Sequence, residues 1–575
     1  MVIQDKSFSF FASRHIAAEL LAASVMELFP SASFLEGGAS DFGFFYDFVF
    51  EDVLDEKAFP LIEERMRFIA KERRPVKTKE MLRENAVEYF RYHAQPLKAE
   101  ILGKSKESLI EIFHMLEFFD ACPRPHVEHS GKTGFFKLWK IHTREEEFSS
   151  GKKQVVRIEG VVSEDKSSLK KLLKKSEEAK ARDHRLLGEE LKLFAIEEEA
   201  EANSCFWLPK GAFIRQTIIE WILKEYLKRG FKQVFTPSVA KSSSLKRAGV
   251  RDFFSWSRKS TNSSLDSHAF VSSHAPMHAR MFKRKELSCN DSPVRYVECG
   301  DLYFPEASGH LTGLQKSINH CVDTASVFCE EESLLSEFIS FLQFIEETAK
   351  IYCFNYKLFL NVEKSSSSPL WKKYNLFALE AIKSCGMEYE CSKNVGDGPG
   401  IEVRMIDSMG REWRGAWFEA NMALSKRLHL SLQDKEDKRS KLIMLTGSLF
   451  GSIERFLAFL LEHYEGFLPL WLAPEQARII PVSDKTLKYA KLSYSKCQKS
   501  GLRVTIDSRN VKLGVKIRSA QCEKIPYAIV LGEEEEYQEK VAVRSWSQKD
   551  IQKVKLEEFL KNIFKDVSAK KIIKN

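Results

Sequence analysis

The sequence predicts an α+β protein of several domains. Its 575 residues are enough for roughly three or four domains of about 100–200 residues each. Apolar residues at helical spacing indicate a helix near the N-terminus. Residues 298–329 show the pattern of a hairpin, in which two strands are joined by a loop. After residue 500, strand and helix patterns alternate. Strands and helices in separate runs favour antiparallel or mixed sheets covered by helices.

The composition is that of a globular protein. Hydrophobic residues make up 43% of the chain and charged residues 30%, and the net charge of +8 leans toward a polyanionic partner. Eleven cysteines stand singly, with no CxxC pair, which predicts a reducing cytoplasm rather than a disulfide framework. No apolar run reaches 18 residues, and Arg14, His15 and Glu19 interrupt the apolar N-terminus, so we expect neither a membrane span nor a signal peptide.

Local patterns predict several individual elements. Ser13 is a candidate N-cap for a helix over 13–29, and further helices are indicated at 61–71, at 166–185, where the run is basic, and from Pro209 to Gly230. A strand over 234–236 follows, ended by Pro237. The stretches RVTIDSRN, KLGVKIRSAQ, PYAIVLG and KVAVRSW then predict an α/β domain with a mixed sheet near the C-terminus.

Many of these segments match motifs of one known family. They include the aromatic strand at 43–48, EAKARDHRLLGEEL at 178–191, FWLPKG at 206–211, the hairpin at 298–329, GSIER at 451–455 and WLAPEQ at 471–476. From about Arg14 to Asp550, in one register, the chain resembles the threonyl-tRNA synthetases, which are class II aminoacyl-tRNA synthetases. The family's N-terminal ubiquitin-like domain is not represented.

The resemblance implies four segments. They are an editing-like α+β domain over 1–165, a basic linker helix over 166–190, a class II catalytic-like domain with an antiparallel sheet over 191–468, and an α/β anticodon-binding domain over 469–575. It also implies a homodimer formed through the motif 1 helix and strand, and tRNA as a partner.

The resemblance places several changes at the ATP site. Phe304 stands where the family has the motif 2 Arg that grips the ATP α-phosphate, and losing one such donor typically costs about a hundred- to a thousand-fold in rate. Glu306 and Arg455 match retained ATP-site residues. Possible contacts to ATP and its magnesium are Lys316, His320 and Ser452.

The family's catalytic zinc has no ligands in this sequence. The three ligand positions are Ala275, Ser326 and Thr446, whose methyl and hydroxyl groups replace the thiolate and imidazoles that bind zinc. We therefore expect no zinc in the catalytic-like domain. Trp417 replaces a small residue on a substrate-facing strand and is expected to fill part of the pocket.

A second polar pocket is implied in the N-terminal domain. In the family's editing site a His-x-x-x-His helix meets an Asp-x-Cys-x-x-x-His segment; the matching residues here are His15, Glu19, Asp120, Cys122 and His126. Three interpretations are open: a relic whose polar groups bond one another, residual ester hydrolysis with Glu19 as general base, and a metal site.

Basic residues in the C-terminal domain are the candidate contacts to tRNA. The resemblance to a tRNA reader favours phosphate contacts by Arg509, Lys512, Lys516 and Arg518, although such a run is often only a solvated helix end. Three functions follow: a tRNA-binding paralogue with impaired threonine activation, a divergent but working threonine–tRNA ligase, and an interaction scaffold without an RNA role.

Overall fold

The structure is a computed structural model, and the chain divides into two compact units, residues 1–180 and 181–575. None of the described helices is both long enough and apolar enough to cross a membrane. The described residues are 6–39, 43–52, 54–105, 107–122, 127–163, 165–196, 205–250, 253–257, 267–284, 291–304, 313–362, 368–392, 398–433, 439–546 and 551–570.

The first unit is built from two antiparallel sheets and the helices that cover them. One sheet has the order β1-β2-β7-β6 and the other β3-β4-β5. Helix α1 packs on β1, β2 and α2, and its fully buried Ile16, Leu20 and Leu21 follow the helical spacing that the sequence shows. The elements are α1 (Lys6–Leu28), β1 (Ser33–Ala39), β2 (Gly43–Val49), α2 (Phe59–Glu72), β3 (Val76–Leu82), α3 (Arg83–Tyr92), α4 (Pro96–Gly103), β4 (Leu109–Met115), β5 (Phe118–Ala121), β6 (Phe135–Phe148), β7 (Gly151–Ser163) and α5 (Lys166–Ala181).

The second unit begins with a large domain whose central sheet is antiparallel except for one parallel pair at each edge. Its elements are α6 (His184–Glu190), β8 (Phe194–Ile196), β9 (Cys205–Trp207), α7 (Pro209–Lys228), β10 (Lys232–Gln233), β11 (Val239–Lys241), α8 (Ser242–Ala248), β12 (Ser255–Ser257), β13 (Ser267–Phe270), α9 (Ala275–Lys283), β14 (Val294–Tyr303), β15 (Asn319–Cys329), α10 (Leu334–Ile351), β16 (Asn355–Asn361), α11 (Pro369–Ser384), β17 (Glu390–Ser392), β18 (Gly400–Ile406), β19 (Glu412–Ala420), α12 (Met422–Arg427), β20 (Ser431–Gln433), β21 (Arg439–Lys441), β22 (Ile443–Ser448) and α13 (Ile453–His463).

The central sheet of this domain has the order β10-β14-β15-β22-β19-β18-β16-β17, and its two parallel pairs are β10 with β14 and β16 with β17. Strands β14 and β15 form the predicted hairpin, and their antiparallel register runs from Val294 opposite Phe328 to Tyr303 opposite Asn319. Helices α7, α10 and α13 supply fully buried side chains to the same core as the sheet, among them Ile222, Phe338 and Phe456.

The C-terminal part of the second unit carries the predicted mixed sheet. Its order is β24-β23-β25-β26-β27, with β23 parallel to β24 and β25 and the other pairs antiparallel. The elements are β23 (Ala477–Pro481), α14 (Leu487–Lys499), β24 (Val504–Ile506), α15 (Leu513–Cys522), β25 (Tyr527–Leu531), α16 (Glu533–Tyr537), β26 (Lys540–Ser545), β27 (Ile551–Lys555) and α17 (Leu556–Ser568). The α+β fold is thus confirmed.

Three local predictions need correction. Helix α1 begins at Lys6, so Ser13 lies within the helix and does not cap it. The run 166–185 is two helices, because Asp183 accepts a hydrogen bond from the backbone N–H of Arg185 (2.9 Å) and starts α6. Strand β10 covers Lys232–Gln233 rather than 234–236, although the N–H of Val234 still donates to the carbonyl of Val297.

One buried carboxylate joins three elements of the domain. Asp323, in the middle of β15, is fully buried and accepts hydrogen bonds from Tyr226 Oη on α7 (3.0 Å) and Ser448 Oγ at the end of β22 (2.6 Å). The backbone N–H groups of Leu449 and Phe450 donate to it as well (2.6 and 3.1 Å). Burial raises the pKa of Asp323, and these bonds act against that rise.

We expect Asp323→Asn to destabilise the second unit by about 2–4 kcal/mol, because an amide NH2 would face groups that themselves donate. Tyr226→Phe, which removes one donor and leaves the carboxylate in place, should cost about 1 kcal/mol. Urea unfolding followed by tryptophan fluorescence reports on this unit, since eight of the nine tryptophans lie after residue 181. Equal losses for the two variants would contradict the role given to Asp323.

Candidate functional site

A cavity of about 520 Å³ lies beside the central sheet. Three of the predicted site residues line it: Ala275 at the start of α9, Thr446 on β22 and Phe304 just after β14. Trp417 also lines the cavity, as predicted, and leaves the space open. Glu419 and Arg427 are the charged side chains among the lining residues that the structure describes.

The three positions that the resemblance assigns to zinc ligands hold a methyl group and two hydroxyls. Ser326 and Thr446 are direct partners across β15 and β22, and both are buried. Ser326 Oγ lies 2.9 Å from His278 Nδ1, and His278 Nε2 lies 3.1 Å from Glu298 Oε2. A methyl group and two hydroxyls offer no strong zinc donor, and the neighbouring imidazole already bonds to its surroundings. The residues present therefore do not fit a zinc ion.

His274 extends the same hydrogen-bonded network. Its Nδ1 lies 2.9 Å from Thr324 Oγ1, and burial lowers its pKa to about 4, so its ring is neutral at physiological pH. Both oxygens of Glu298 accept hydrogen bonds from Thr236, one from the backbone N–H and one from the hydroxyl, each at 2.8 Å. The network holds α9 against the sheet.

Within the described part of the chain, three ligand-type atoms gather within 4.8 Å only at Asp183, His184 and Glu462. His184 Nδ1 lies 2.6 Å from Glu462 Oε1, and His184 Nε2 accepts a hydrogen bond from the N–H of Leu314 (3.2 Å). Arg185 pairs with Asp183 at 2.6 Å. Because both ring nitrogens of His184 already take part in hydrogen bonds, we interpret this group as a structural contact that holds α6 against α13.

The predicted nucleotide contacts are divided between surface and interior. His320 is 5% exposed; its Nδ1 lies 3.0 Å from Ser452 Oγ, and its Nε2 accepts from the N–H of Ser317. Ser452 is 2% exposed and caps α13 by accepting from the N–H of Arg455 (3.2 Å). Both make internal hydrogen bonds in this structure, and their contact with a nucleotide stays a prediction.

Two further nucleotide-site candidates stay near solvent. Lys316 is exposed, whereas Arg455 is partly buried and donates from Nε to the carbonyl of Gln315 (3.3 Å). The ring of Phe304 lies 6.0 Å from that of His320. Glu306 lies outside the described residues. Among the described residues, the structure does not bring the predicted nucleotide contacts together in the cavity that holds Phe304.

A second buried carboxylate, Glu454 at the start of α13, joins α13 to β15 and α7. Glu454 accepts from the backbone N–H of Cys321 (2.8 Å) and from Ser452 Oγ (3.1 Å), and it pairs with Arg215 on α7 (3.2 Å). Hydrogen bonding and the positive charge of Arg215 lower the pKa of Glu454 despite its burial. Its ionised form is therefore part of the scaffold.

In the first unit, four of the five editing-like residues meet in the interior. His15, Glu19, Asp120 and Cys122 are 9, 1, 2 and 3% exposed, and Cys122 Sγ lies 3.5 Å from His15 Nδ1. His126 lies outside the described residues. The pocket that the sequence predicted is thus a buried cluster.

Two residues that sequence reasoning missed complete this cluster. Lys98 forms an ion pair with Asp120 (2.6 Å) and also donates to the carbonyl of Leu35 (2.6 Å), while Tyr46 Oη donates to Asp120 at 2.5 Å. Lys98 is only 3% exposed. Tyr46 stands in the matched aromatic strand and so had a sequence signal; Lys98 had none, because a lysine is rarely buried unless it is paired.

Burial sets the protonation of the cluster. Desolvation, followed by the nearby charge of Asp120, raises the pKa of Glu19 to about 8. Desolvation also raises the pKa of the Cys122 thiol, followed by the charge of Glu19. Near neutral pH the Glu19 carboxyl therefore holds its proton, whereas a general base must be ionised.

The basic residues of the C-terminal domain differ in their accessibility. Lys512 and Arg518 are exposed at the start of α15 and on its surface. Arg509 pairs with Asp507 (2.6 Å), and its side chain is 55% exposed. Lys516 is 5% exposed and donates to the carbonyl of Pro481 (3.0 Å), and its contact with phosphate stays a prediction.

Comparison with known proteins identifies two domains of the chain. Residues 260–464 match the tRNA synthetase class II core domain (G, H, P, S and T), and residues 476–566 match an anticodon binding domain. The RNA binding domain of threonyl-tRNA synthetase from Cryptosporidium parvum Iowa II is similar in structure, with a TM-score of 0.62 and 27% identity over 67% of this chain and 98% of that chain.

Whole-length relatives are similar in sequence. The threonine–tRNA ligase of Burkholderia multivorans is 34% identical over 563 residues, covering 97% of this chain and 88% of the relative. The threonine–tRNA ligase of Lawsonia intracellularis is 33% identical over 560 residues, covering 96% and 87%. With the class II core, the anticodon-binding domain and near full-length similarity, the chain belongs to the threonine–tRNA ligase family of class II aminoacyl-tRNA synthetases.

Proposed function

We propose that this chain binds tRNA and that ATP-dependent activation of threonine is lost or strongly impaired. The observation that carries the proposal is the pairing of Ser326 with Thr446 beside Ala275, where the family has its zinc ligands. Zinc takes the amine and hydroxyl of threonine as ligands in this family. A pocket that selects by size alone separates threonine from valine by only about a hundred-fold.

The residues expected to bind ATP support the same proposal. Phe304 cannot donate a hydrogen bond to a phosphate oxygen, and His320 and Ser452 are bonded to each other in the interior. Each missing donor costs roughly 3–4 kcal/mol of transition-state stabilisation. Several such losses together exceed what the two retained residues, Glu306 and Arg455, compensate. A magnesium ion and ATP would therefore have few of the family's contacts.

We expect no threonine-dependent ATP–pyrophosphate exchange above background, with or without added zinc. The reason is that the amine and hydroxyl of threonine have no metal to bind and the α-phosphate has no Arg at 304. Exchange is measured on the full chain with threonine, beside a zinc-containing family member as positive control. Metal analysis of the same protein reports zinc content.

Robust exchange that depends on threonine would contradict this proposal. It would favour the alternative, a divergent working ligase that uses Glu306, Lys316, His320 and Arg455. A Phe304→Arg variant sharpens the test, because restoring one donor should leave exchange at background when the zinc ligands are also missing. An intact threonyl-tRNA synthetase encoded in the same genome would favour the impaired paralogue.

We propose that tRNA contacts the C-terminal domain through α15 and the loop before it. Lys512 and Arg518 are exposed there, and the partly exposed Arg509 adds positive charge, held by Asp507. Phosphate contacts of this kind position the nucleic acid without reading its sequence. They make affinity sensitive to salt, because bound counterions are released.

The double variant Lys512→Ala, Arg518→Ala is expected to weaken tRNA binding by about five- to ten-fold at 0.1 M salt and to reduce the slope of log affinity against log salt by about one for each phosphate interaction removed. Filter binding or fluorescence anisotropy over a salt series measures both. Lys491→Ala, at an exposed lysine of α14, is the matched control and should change neither. Salt-independent binding, or none, would favour the scaffold function.

We propose that the chain forms a homodimer through the end of α7 and the residues that follow it, the segment matched to motif 1. Phe235 is 74% exposed, Leu227 48% and Val239 40%, and these residues follow one another around the end of α7 and the strand after it. Large apolar side chains clustered at a surface often mark a protein interface. In this family the motif 1 helix and strand form the contact between the two protomers.

We further propose that the editing-like cluster stabilises the first unit rather than hydrolysing an ester. Asp120 is engaged by Lys98 and Tyr46, and Glu19 is protonated near neutral pH. These contacts support the relic interpretation over residual hydrolysis. Within the described residues, the cluster does not bring three ligand atoms together closely enough for a metal ion.

Glu19 gives this proposal a pH test. Its pKa is about 8 in the folded chain, against about 4.3 when unfolded, so the folded state holds a proton that the unfolded state has released. Stability should therefore fall as pH rises from about 4.5 to 8. Glu19→Gln does not titrate, and it should be the more stable form at pH 8 by at least about 1.4 kcal/mol, with little difference at pH 5.

Calorimetric unfolding of the full chain at pH 5, 6.5 and 8 measures this difference, and hydrogen exchange of α1 assigns it to the first unit. Glu64→Gln, at an exposed position on α2, is the control and should follow the parent protein. Parallel pH profiles for the parent and Glu19→Gln would show that the Glu19 carboxyl is ionised in the folded chain.

A further inference from the structure

We propose that Lys570 is an acylation site that controls how firmly the end of α17 is held on the catalytic-like domain. Its ammonium group lies over the indole rings of Trp221, on α7, and Trp471, between α13 and β23. Acylation removes the positive charge, which weakens this lysine–indole contact and loosens the end of α17. The inference concerns a contact inside the second unit and does not depend on the proposed function.

The lysine–indole contact joins two parts of the second unit. Lys570 Nζ lies 5.5 Å from the ring centroid of Trp221 and 5.8 Å from that of Trp471. Both distances are within the range of about 6 Å over which an indole attracts a cation. The two tryptophans belong to the core of the catalytic-like domain, whereas α17 packs Phe559 and Ile563 into the core of the C-terminal sheet. Lys570 therefore connects one core to the other.

The ammonium group depends on the two indoles because its acidic neighbour is paired elsewhere. Among the described residues, neither a hydrogen bond nor an ion pair holds the Lys570 ammonium. Glu225 attracts it, but that carboxylate pairs with Lys228 (2.7 Å) and Arg229 (3.3 Å). Burial, together with repulsion by Lys228 and Lys224, lowers the pKa of Lys570. The amine is therefore available for reaction.

The backbone at Lys570 has a conformation that lysine rarely adopts. Its φ is 47°, in the left-handed region, and it follows Ala569, the C-cap of α17. Glycine is usual at this position because it has no Cβ to crowd the backbone. The N–H of Lys570 donates to the carbonyl of Val567 (3.1 Å), whose side chain packs against both cores. A lysine where the backbone suits glycine supports a role for the lysine side chain.

A thioester is the acyl donor that we assign to this site. The unprotonated amine attacks the thioester carbonyl carbon, a C–N bond forms, the C–S bond breaks and the thiolate leaves, while the amine proton passes to solvent. The side chain of Lys570 is only partly buried, so the donor reaches it from solvent. A desolvated lysine is the more nucleophilic because more of it is free amine. The amide that forms is neutral and has no charge for the indole faces to attract.

Substitutions of Lys570 separate the effect of charge from that of backbone conformation. We expect Lys570→Gln, which copies the neutral amide, to speed hydrogen exchange in the last two turns of α17 by about two- to five-fold, the loss expected of a partly exposed cation–π contact. Lys570→Gly should do the same although glycine suits the backbone, whereas Lys570→Arg keeps the charge and should exchange as the parent does. Lys565→Gln, at an exposed lysine of the same helix end, is the matched control and should also match the parent. Mass spectrometry on the full chain measures the exchange, with α14 as internal reference.

A Trp471→Phe background tests the partner of the ammonium group. A phenyl ring attracts a cation less than an indole does, so Lys570→Gln should have a smaller effect there than in the parent. An equal effect in both backgrounds would contradict the lysine–indole contact. The comparison among the Lys570 variants decides the question even where Trp471→Phe impairs folding.

Acetyl coenzyme A, a thioester, tests the modification on the full chain. Peptides acetylated at Lys570 should exchange faster than unmodified peptides of the same sample, by the factor seen in Lys570→Gln, and peptides acetylated at Lys565 should not. The inference is overturned by unchanged exchange in Lys570→Gln, by slower exchange in Lys570→Gly, or by an unmodified Lys570 in samples whose Lys565 is acetylated.

Discussion

The buried carboxylate of Asp323 is the interaction on which the catalytic-like domain depends. A carboxylate is costly to remove from water unless several donors surround it. Here the donors come from α7, from the end of β22 and from the two residues that follow. The middle of the hairpin is therefore tied to the motif 1 helix and to the segment that leads into α13. Glu454 repeats the arrangement with Arg215 and Cys321.

These two carboxylates explain how the scaffold persists while the chemistry changes. Residues that bond to one another in the interior, such as Asp323 and Glu454, match the family's motifs. The differences that the family resemblance implies fall instead on positions expected to face zinc or ATP, namely Ala275, Ser326 and Phe304. A substitution at a ligand contact costs the fold little, because the group it replaces faced a ligand or solvent. A substitution at a buried carboxylate would leave several donors unpaired.

Most of the fold could be predicted from the sequence because periodicity and motif register are local, as the hairpin and the helix from Pro209 show. The ends of helices were harder to predict. Ser13 belongs to a residue type that often caps a helix, but α1 already begins at Lys6. A capping residue type alone does not end the helix that precedes it. Side-chain direction could not be predicted. Ser452 and Lys516 stand in matched motifs, yet each bonds to an internal partner, and the ion pair of Lys98 with Asp120 exists only once α4 and β5 come together.

The two pockets of this chain illustrate different outcomes of losing a ligand set. In the editing-like cluster, Lys98 and Tyr46 both engage Asp120, Glu19 is protonated near neutral pH, and the residues are almost completely buried. In the catalytic-like domain the positions proposed for the zinc ligands hold small side chains, and Trp417 lines the cavity without closing it. A closed polar cluster contributes to stability and excludes substrate. The cavity beside the sheet leaves about 520 Å³ of space unfilled, so its walls contribute less packing to the fold than the buried cluster does.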